Sequence, residues 1–188
     1  MERNNAMNEL LIVNELCRDG ILDKISFSME KGEMTAIMGP SGSGKSTLLY
    51  NIAGMDCPTG GSVLFDGREI TSLSEDERAD MRLRETGFVF QQMNMLKGLN
   101  ILDNILLPAV YANKGKNGRT RAELSRLSRE GTAILTVTHD SRAASCCDRV
   151  LYLSDGRICG EILLGKPENG TEKEREDELN RQLAEMGW

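Results

Sequence analysis

The stretch Gly39–Thr47, GPSGSGKST, constrains the fold more than any other, because it places a complete GxxxxGK(S/T) loop between an apolar run and a helical pattern. Upstream, Met34 to Met38 (MTAIM) has the length and apolarity of a short buried strand. Downstream, Leu48, Leu49, Ile52 and Ala53 supply the apolar face of a helix that Gly54 can end. A phosphate cradle requires strand, glycine loop and helix in that order. Gly39, Gly42 and Gly44 let the backbone bend and approach an anion, and the amides at the helix N-terminus point at it, favoured by the helix dipole. The candidate binding set is Gly39, Pro40, Ser41, Gly42, Ser43, Gly44, Lys45, Ser46 and Thr47. Within it Lys45 is expected to reach the β- and γ-phosphates of a nucleotide, and the Ser46 hydroxyl to ligate magnesium.

Composition narrows what surrounds that loop. With 188 residues, 39% of them hydrophobic, the chain suffices for one domain with a real core and a tail. A net charge of -6 argues against a nucleic-acid partner, which would call for a basic face. No apolar run approaches the ~18 residues of a membrane span, and MERNNAMNEL at the start has no signal-like apolar core, so the expected location is cytoplasmic. The five cysteines (Cys17, Cys57, Cys146, Cys147, Cys159) form no CxxC, and with a single histidine they make no zinc set. They are expected to be reduced, packed thiols.

Along the chain, Leu10 to Glu15 and Ile25 to Met29 have strand character. Ser62 to Phe65, Asp66-Gly67 and Arg68 to Ile70 form a hairpin signal. Ser74 with Glu77 is a capping box for a helix ending near Glu85. Gly87 to Phe90 is an expected strand that ends at Gln91, and Ile101 to Ala112 an expected helix capped by Asn100 and disturbed by Pro108. Asn113 to Gly118 is the best linker, followed by a helix from Thr120 to Gly131 and a strand from Ala133 to Val137. The pattern then predicts a short helix over Ser141 to Cys147, a hairpin of Val150 to Leu153 and Arg157 to Leu163 around Asp155-Gly156, and a charged amphipathic helix over Glu172 to Met186.

Taken together, the loop, the hairpin, GFVFQQ and TVTHD resemble the ATP-binding subunits of ABC transporters, in their lipoprotein-release and macrolide-export branch. The likeness is carried by ILDKISFSMEKGEMTAIMGPSGSGKSTLLYNIAGMDCPTGGSVLFDGREI and by GTAILTVTHDSRAASCCDRVLYLSDGRI, and it covers roughly residues 9–112 and 121–162. It implies an α/β fold, a P-loop NTPase sheet with an N-terminal antiparallel β-subdomain. ATP and Mg2+ are the implied cofactors, and a transmembrane permease and a second copy in a homodimer the implied partners. The implied place is the inner face of the cell membrane, held there through the permease. By the same resemblance Gln91 senses magnesium and the attacking water, His139 contacts the γ-phosphate, and Met93, Met95 and Leu96 face the permease. Ser46 and Gln91 are then the metal residues. The resemblance also notes that the family often stacks an aromatic on the base, for which Cys17 to Gly20 offers none.

The likeness is incomplete. Between Gln91 and His139 the family carries a helical subdomain, an LSGGQ signature and an apolar strand ending in Asp-Glu, and none is found in this interval. The expected organisation is a nucleotide-binding domain over 1–165, truncated by an internal deletion near 113–122, and a charged helical tail over 166–188. The leading functional expectation is an ATP-binding subunit that couples ATP binding and hydrolysis to a permease. The alternative is a non-hydrolysing nucleotide-binding remnant or regulatory module of the same family. A small-molecule kinase is a third, weaker reading, resting on Arg119, Arg121, Arg126 and Arg129 as a lid.

Overall fold

The computed structural model describes residues 8–88, 132–168 and 171–187. The chain divides into two units, Met1–Ser72 with Gly131–Trp188, and Leu73–Glu130. Gln91, Met93, Met95 and Leu96, the Asn100–Ala112 helix, the Asn113–Gly118 linker and the Thr120–Gly131 helix lie outside the described residues. Of the expected Gly87–Phe90 strand, Gly87 and Phe88 are described and are irregular.

The first unit holds two sheets. One is antiparallel and contains β1 (Glu9–Arg18), β2 (Leu22–Glu30), β4 (Gly60–Phe65) and β5 (Arg68–Glu69) in the order β2-β1-β4-β5. Alternation buries Leu11 and Val13 of β1 and then breaks, because the next inward side chain is Leu16. A bulge explains the break. The register jumps between Val13↔Phe27 and Leu16↔Ile25, and Glu15 takes a positive φ of 43°. The extra residue keeps Leu16 on the core face, where an unbulged strand would turn it outward. β1 therefore runs past Glu15, where the alternation in the sequence stops. The β4–β5 turn places Asp66 and Gly67 at φ 46° and 76°, the left-handed pair that a tight Asp-Gly hairpin needs.

The second sheet has the order β6-β3-β7-β8, built from β3 (Met34–Met38), β6 (Ile134–Val137), β7 (Arg149–Ser154) and β8 (Arg157–Leu163). β3 pairs in parallel with both β6 and β7, while β8 returns antiparallel on β7. Thr35, Ala36, Ile37 and Met38 are fully buried, as befits a central parallel strand covered on both faces. β6 is the outer strand of this order, and Ile134 at its start is 44% exposed. Among the described residues no further strand pairs beyond β6.

Helix α1 (Lys45–Ile52) follows β3 and ends as the sequence indicates. Gly54 adopts φ 64°, its N–H donates to Asn51 O at 3.1 Å, and the Met55 N–H reaches Tyr50 O at 2.8 Å. This paired termination satisfies two otherwise orphaned carbonyls. Helix α3 (Ser141–Ala144) is shorter than the expected Ser141–Cys147. Cys146 and Cys147 tighten into bonds three residues back, to Ala143 O and Ala144 O, and the Asp148 N–H then leaves for Met34 O at 2.8 Å, pulling the chain into the sheet.

Helix α4 (Glu172–Glu185) lies on the body of this unit. Leu179 and Leu183 are 0% exposed and join Ala36, Met38, Ala144, Cys147, Val150, Tyr152 and Ile162 in one core cluster, with Met186 packed against it. Full burial of each leucine stabilises by about 1.5–3 kcal/mol. The second unit's described part is helix α2 (Glu75–Arg84) and its flanks. Its capping box is complete: Ser74 N–H donates to Glu77 Oε2 at 2.8 Å, and Glu77 N–H to Ser74 Oγ at 3.4 Å.

Candidate functional site

The site begins where β3 ends. Parallel strands present their C-terminal ends to one edge of the sheet, the edge at which open α/β sheets take ligands. β3 reaches that edge at Met38, level with Tyr152 of β7, and the loop Gly39–Gly44 follows. Gly39 is pressed against the neighbouring strand, for a Cβ there would lie 1.9 Å from Leu153 O. Gly42 and Gly44 take φ values of 82° and 97°, a left-handed backbone that side chains avoid. A Cβ on Gly42 would meet nothing within 4 Å, whereas one on Gly44 would meet Leu22 Cδ2 at 2.8 Å.

The N-terminus of α1 is left free for an anion. Gly44 caps it without a side-chain hydrogen bond, and its first turn holds no acidic residue. Helix α2 shows the ordinary arrangement by contrast, with a serine cap and Glu75, Asp76 and Glu77 in its first turn. The first amides of α1 have no partner within the helix, so their partial positive charge is directed out of its end. Lys45 completes the cradle. Its Nζ donates to Gly39 O at 2.8 Å, Pro40 O at 2.6 Å and Ser43 Oγ at 3.4 Å, which folds the ammonium back over the loop. Burial holds its pKa below the ordinary lysine value. Ser46 is exposed on the first turn.

The arrangement suits phosphate: amides, an ammonium and left-handed glycines, with no acidic residue in the first turn of the helix. It also suits magnesium brought by a nucleotide. That ion keeps waters and phosphate oxygens and takes few protein ligands, and one exposed hydroxyl, Ser46, stands at the helix start. Among the described residues no cluster of three or more His, Cys, Asp or Glu offers a metal cage.

His139 reaches the same edge from β6. Ile37 pairs with Val137, and the Thr138 N–H donates to Ile37 O at 3.2 Å, so Thr138 and His139 emerge level with the start of the loop. His139 is exposed. Asp140, next in sequence, accepts the Arg142 N–H on Oδ1 at 2.9 Å and thereby caps α3. The loop and His139 thus share one edge of one sheet, while Gln91 lies outside the described residues.

Two contributions were not visible in the sequence. Ile21, the residue after Cys17–Gly20, is 45% exposed, and its Cγ2 lies 3.3 Å from where a Gly44 Cβ would be. The loop is also seated on Leu153 and Gly156, more than a hundred residues away and without any local signal.

A family model described as ABC transporter matches residues 22–159. The chain belongs to the ABC transporter family. Within it, the macrolide export ATP-binding/permease protein MacB of Mannheimia succiniciproducens is 44% identical over 199 residues, covering 73% of this chain and 31% of the relative. The lipoprotein-releasing system ATP-binding protein LolD of Buchnera aphidicola is 38% identical over 118 residues, covering 60% of this chain and 52% of the relative. The matches thus span 15–35% of the MacB relatives' length and about half of that LolD relative. The 199-residue match is longer than the part of this 188-residue chain that it engages, so it includes positions of the relative without a counterpart here. Among solved structures, a dimeric post-hydrolysis state of the ATP-binding cassette MJ0796 bound to ADP and Pi superposes with a TM-score of 0.74. It is 24% identical and covers 82% of this chain and 99% of that one, which shows the shared fold. A second dimeric structure of the same cassette gives a TM-score of 0.71 at 25% identity. The α/β architecture with an antiparallel subdomain is therefore that of an ABC cassette.

Proposed function

We propose that this chain is the ATP-binding subunit of an ABC transporter that couples ATP binding and hydrolysis to a membrane permease. The observation that carries the reading is the loop itself: a helix N-terminus with no side-chain cap and no acid in its first turn, two left-handed glycines and the Lys45 ammonium held over the loop carbonyls. In this reading Gly39–Thr47 holds the phosphates of ATP and Ser46 ligates Mg2+, whose charge offsets that of the phosphates. His139 contacts the γ-phosphate from the neighbouring strand, and Gln91 senses the metal and the attacking water. The name of the MacB relative, an ATP-binding/permease protein, supports coupling to a permease, through which the chain would be held at the inner face of the membrane, and the dimeric cassette structures support a homodimer. Among the described residues no helix is long and apolar enough to cross a membrane.

Turnover is expected to be slow. The interval between Gln91 and His139 has neither the Asp-Glu strand nor the LSGGQ signature. A missing general base costs about 10²–10⁴ in rate. A missing charge contact on the γ-phosphate costs about 10³–10⁵, as an arginine finger does. The deciding assay is phosphate release from Mg-ATP by the unsubstituted chain, Lys45→Ala and His139→Ala, alone and with a reconstituted permease. Release that is abolished by Lys45→Ala and reduced by His139→Ala supports the coupling subunit. Binding without any Lys45-dependent release would instead make the chain a non-hydrolysing module of the family.

A further inference from the structure

The three loop glycines face different surroundings. Gly42 opens on free space, while Gly39 backs on Leu153 O and Gly44 on Ile21 and Leu22. The anion side and the protein side of the loop are thereby distinguished, and two turns remote in sequence build the protein side. One joins β1 to β2 around Ile21, and the other is Asp155-Gly156 between β7 and β8. Gly156 links all three parts. Its N–H donates to Ser43 O at 3.2 Å, its carbonyl accepts the Asp23 N–H at 2.9 Å, and a Cβ on it would lie 2.1 Å from Ile21 O. Arg157 adds an exposed ion pair to Asp23, with Nε to Oδ2 at 2.8 Å.

We infer that the Asp155-Gly156 turn is a positioning element of the phosphate loop: by bonding Ser43 O and the Asp23 N–H while packing closely against the Ile21 carbonyl, it fixes the backbone in the conformation that aims the loop amides at an anion. Gly156 touches no ligand and acts through Ser43 and Ile21. The inference rests on the reading of Gly39–Thr47 as the nucleotide site. Its physical basis is preorganisation. A loop fixed before binding loses little further conformational freedom when the anion arrives, and a loop released from its seat must be ordered at that moment. The Asp23–Arg157 pair is solvent-exposed and screened, so the hydrogen bond and the close packing carry the effect.

The chain contains its own control. Asp66-Gly67 is the same kind of turn with nearly the same backbone, φ 46° and 76° against 47° and 72°, but a Cβ on Gly67 would meet nothing within 4 Å. Asparagine tolerates the left-handed region, so Gly156→Asn and Gly67→Asn share a modest local strain, and only the first collides with Ile21 O. The full chain carrying each substitution is to be compared for Mg-ATP affinity and for amide hydrogen exchange over residues 39–47. Gly156→Asn is expected to weaken Mg-ATP binding about tenfold and speed exchange of the loop amides about tenfold, with Gly67→Asn within about twofold on both. Equal behaviour of the two variants overturns the inference. If the unsubstituted chain binds no Mg-ATP, the nucleotide reading fails, and loop exchange still decides the positioning role. If Gly156→Asn does not fold, the unsubstituted protein decides: saturating Mg-ATP is expected to slow exchange at Gly156 together with the loop amides and to leave Gly67 unchanged. Independent behaviour of Gly156 would overturn the inference.

Discussion

The guanidinium of Arg175 donates through Nη2 to the carbonyl of Cys147 at 2.8 Å, joining the last helix to the segment that leads into β7. The same side chain reaches Ser145 O at 2.9 Å, Leu164 O at 2.7 Å and Gly165 O at 3.0 Å. A planar fork of fixed donors suits such divergent carbonyls better than an ammonium does. Arg175→Ala is expected to destabilise the chain by about 2–4 kcal/mol, since several charged hydrogen bonds are lost and their carbonyls are left in a part-buried site. Arg175→Lys should recover less than half of that. Urea unfolding measures both, and an Arg175→Ala midpoint equal to that of the unsubstituted chain would show that Leu179 and Leu183 alone hold the helix.

Cys147 should behave unlike its neighbour. Burial, the adjacent Cys146 and Asp148 push its thiol up to about 11 from an ordinary 9.0, with Arg175 partly offsetting them. A group whose pKa rises on folding contributes stability that is fully present below its unfolded value. Here that contribution is expected to disappear as pH climbs from about 9 through about 11. Unfolding midpoints should fall more steeply over this range than those of Cys147→Ala. At pH 8 iodoacetamide should label the exposed Cys57, Cys146 and Cys159 and leave Cys147 unmodified until the chain unfolds. Prompt labelling of Cys147, read by peptide mass mapping, would contradict its placement in the core.

Base preference should be weak. Ile21 offers an aliphatic surface beside Gly44, and such a surface packs on any base without reading its hydrogen-bonding edge. ATP and GTP affinities are expected to agree within about tenfold, because discrimination of several powers of ten needs polar groups built to pair with the base. Ile21→Trp should tighten both, since stacking of one base on an aromatic is worth roughly 1–3 kcal/mol. Competition binding measures the ratio, and a preference for ATP of several hundredfold would show that other groups read the base.

The parts of this fold legible in the sequence are those that local chemistry dictates. MTAIM, the glycine loop, the Ser74–Glu77 box and the Asp66-Gly67 and Asp155-Gly156 turns each specify their conformation within a few residues, and Arg157–Leu163 has the expected bounds. The tail of β1 was not legible, because the bulge at Glu15 breaks the alternation that marks a strand. Nor was the early end of α3, which the remote Met34 carbonyl determines by taking the Asp148 amide. The site divides in the same way. The cradle is local, but its seating on Leu153, Gly156 and Ile21 depends on β3 lying beside β7, a pairing without any sequence period to announce it.

The central claim is that Gly39–Thr47 binds the phosphates of Mg-ATP through Lys45. Calorimetric titration of Mg-ATP into the unsubstituted chain and Lys45→Ala tests it most directly, with far-UV circular dichroism confirming that both are folded. Loss of a charged hydrogen bond worth about 1.5–3 kcal/mol predicts roughly 10- to 100-fold weaker binding for Lys45→Ala. Equal affinities in the two chains, or no heat of binding in either, would contradict it.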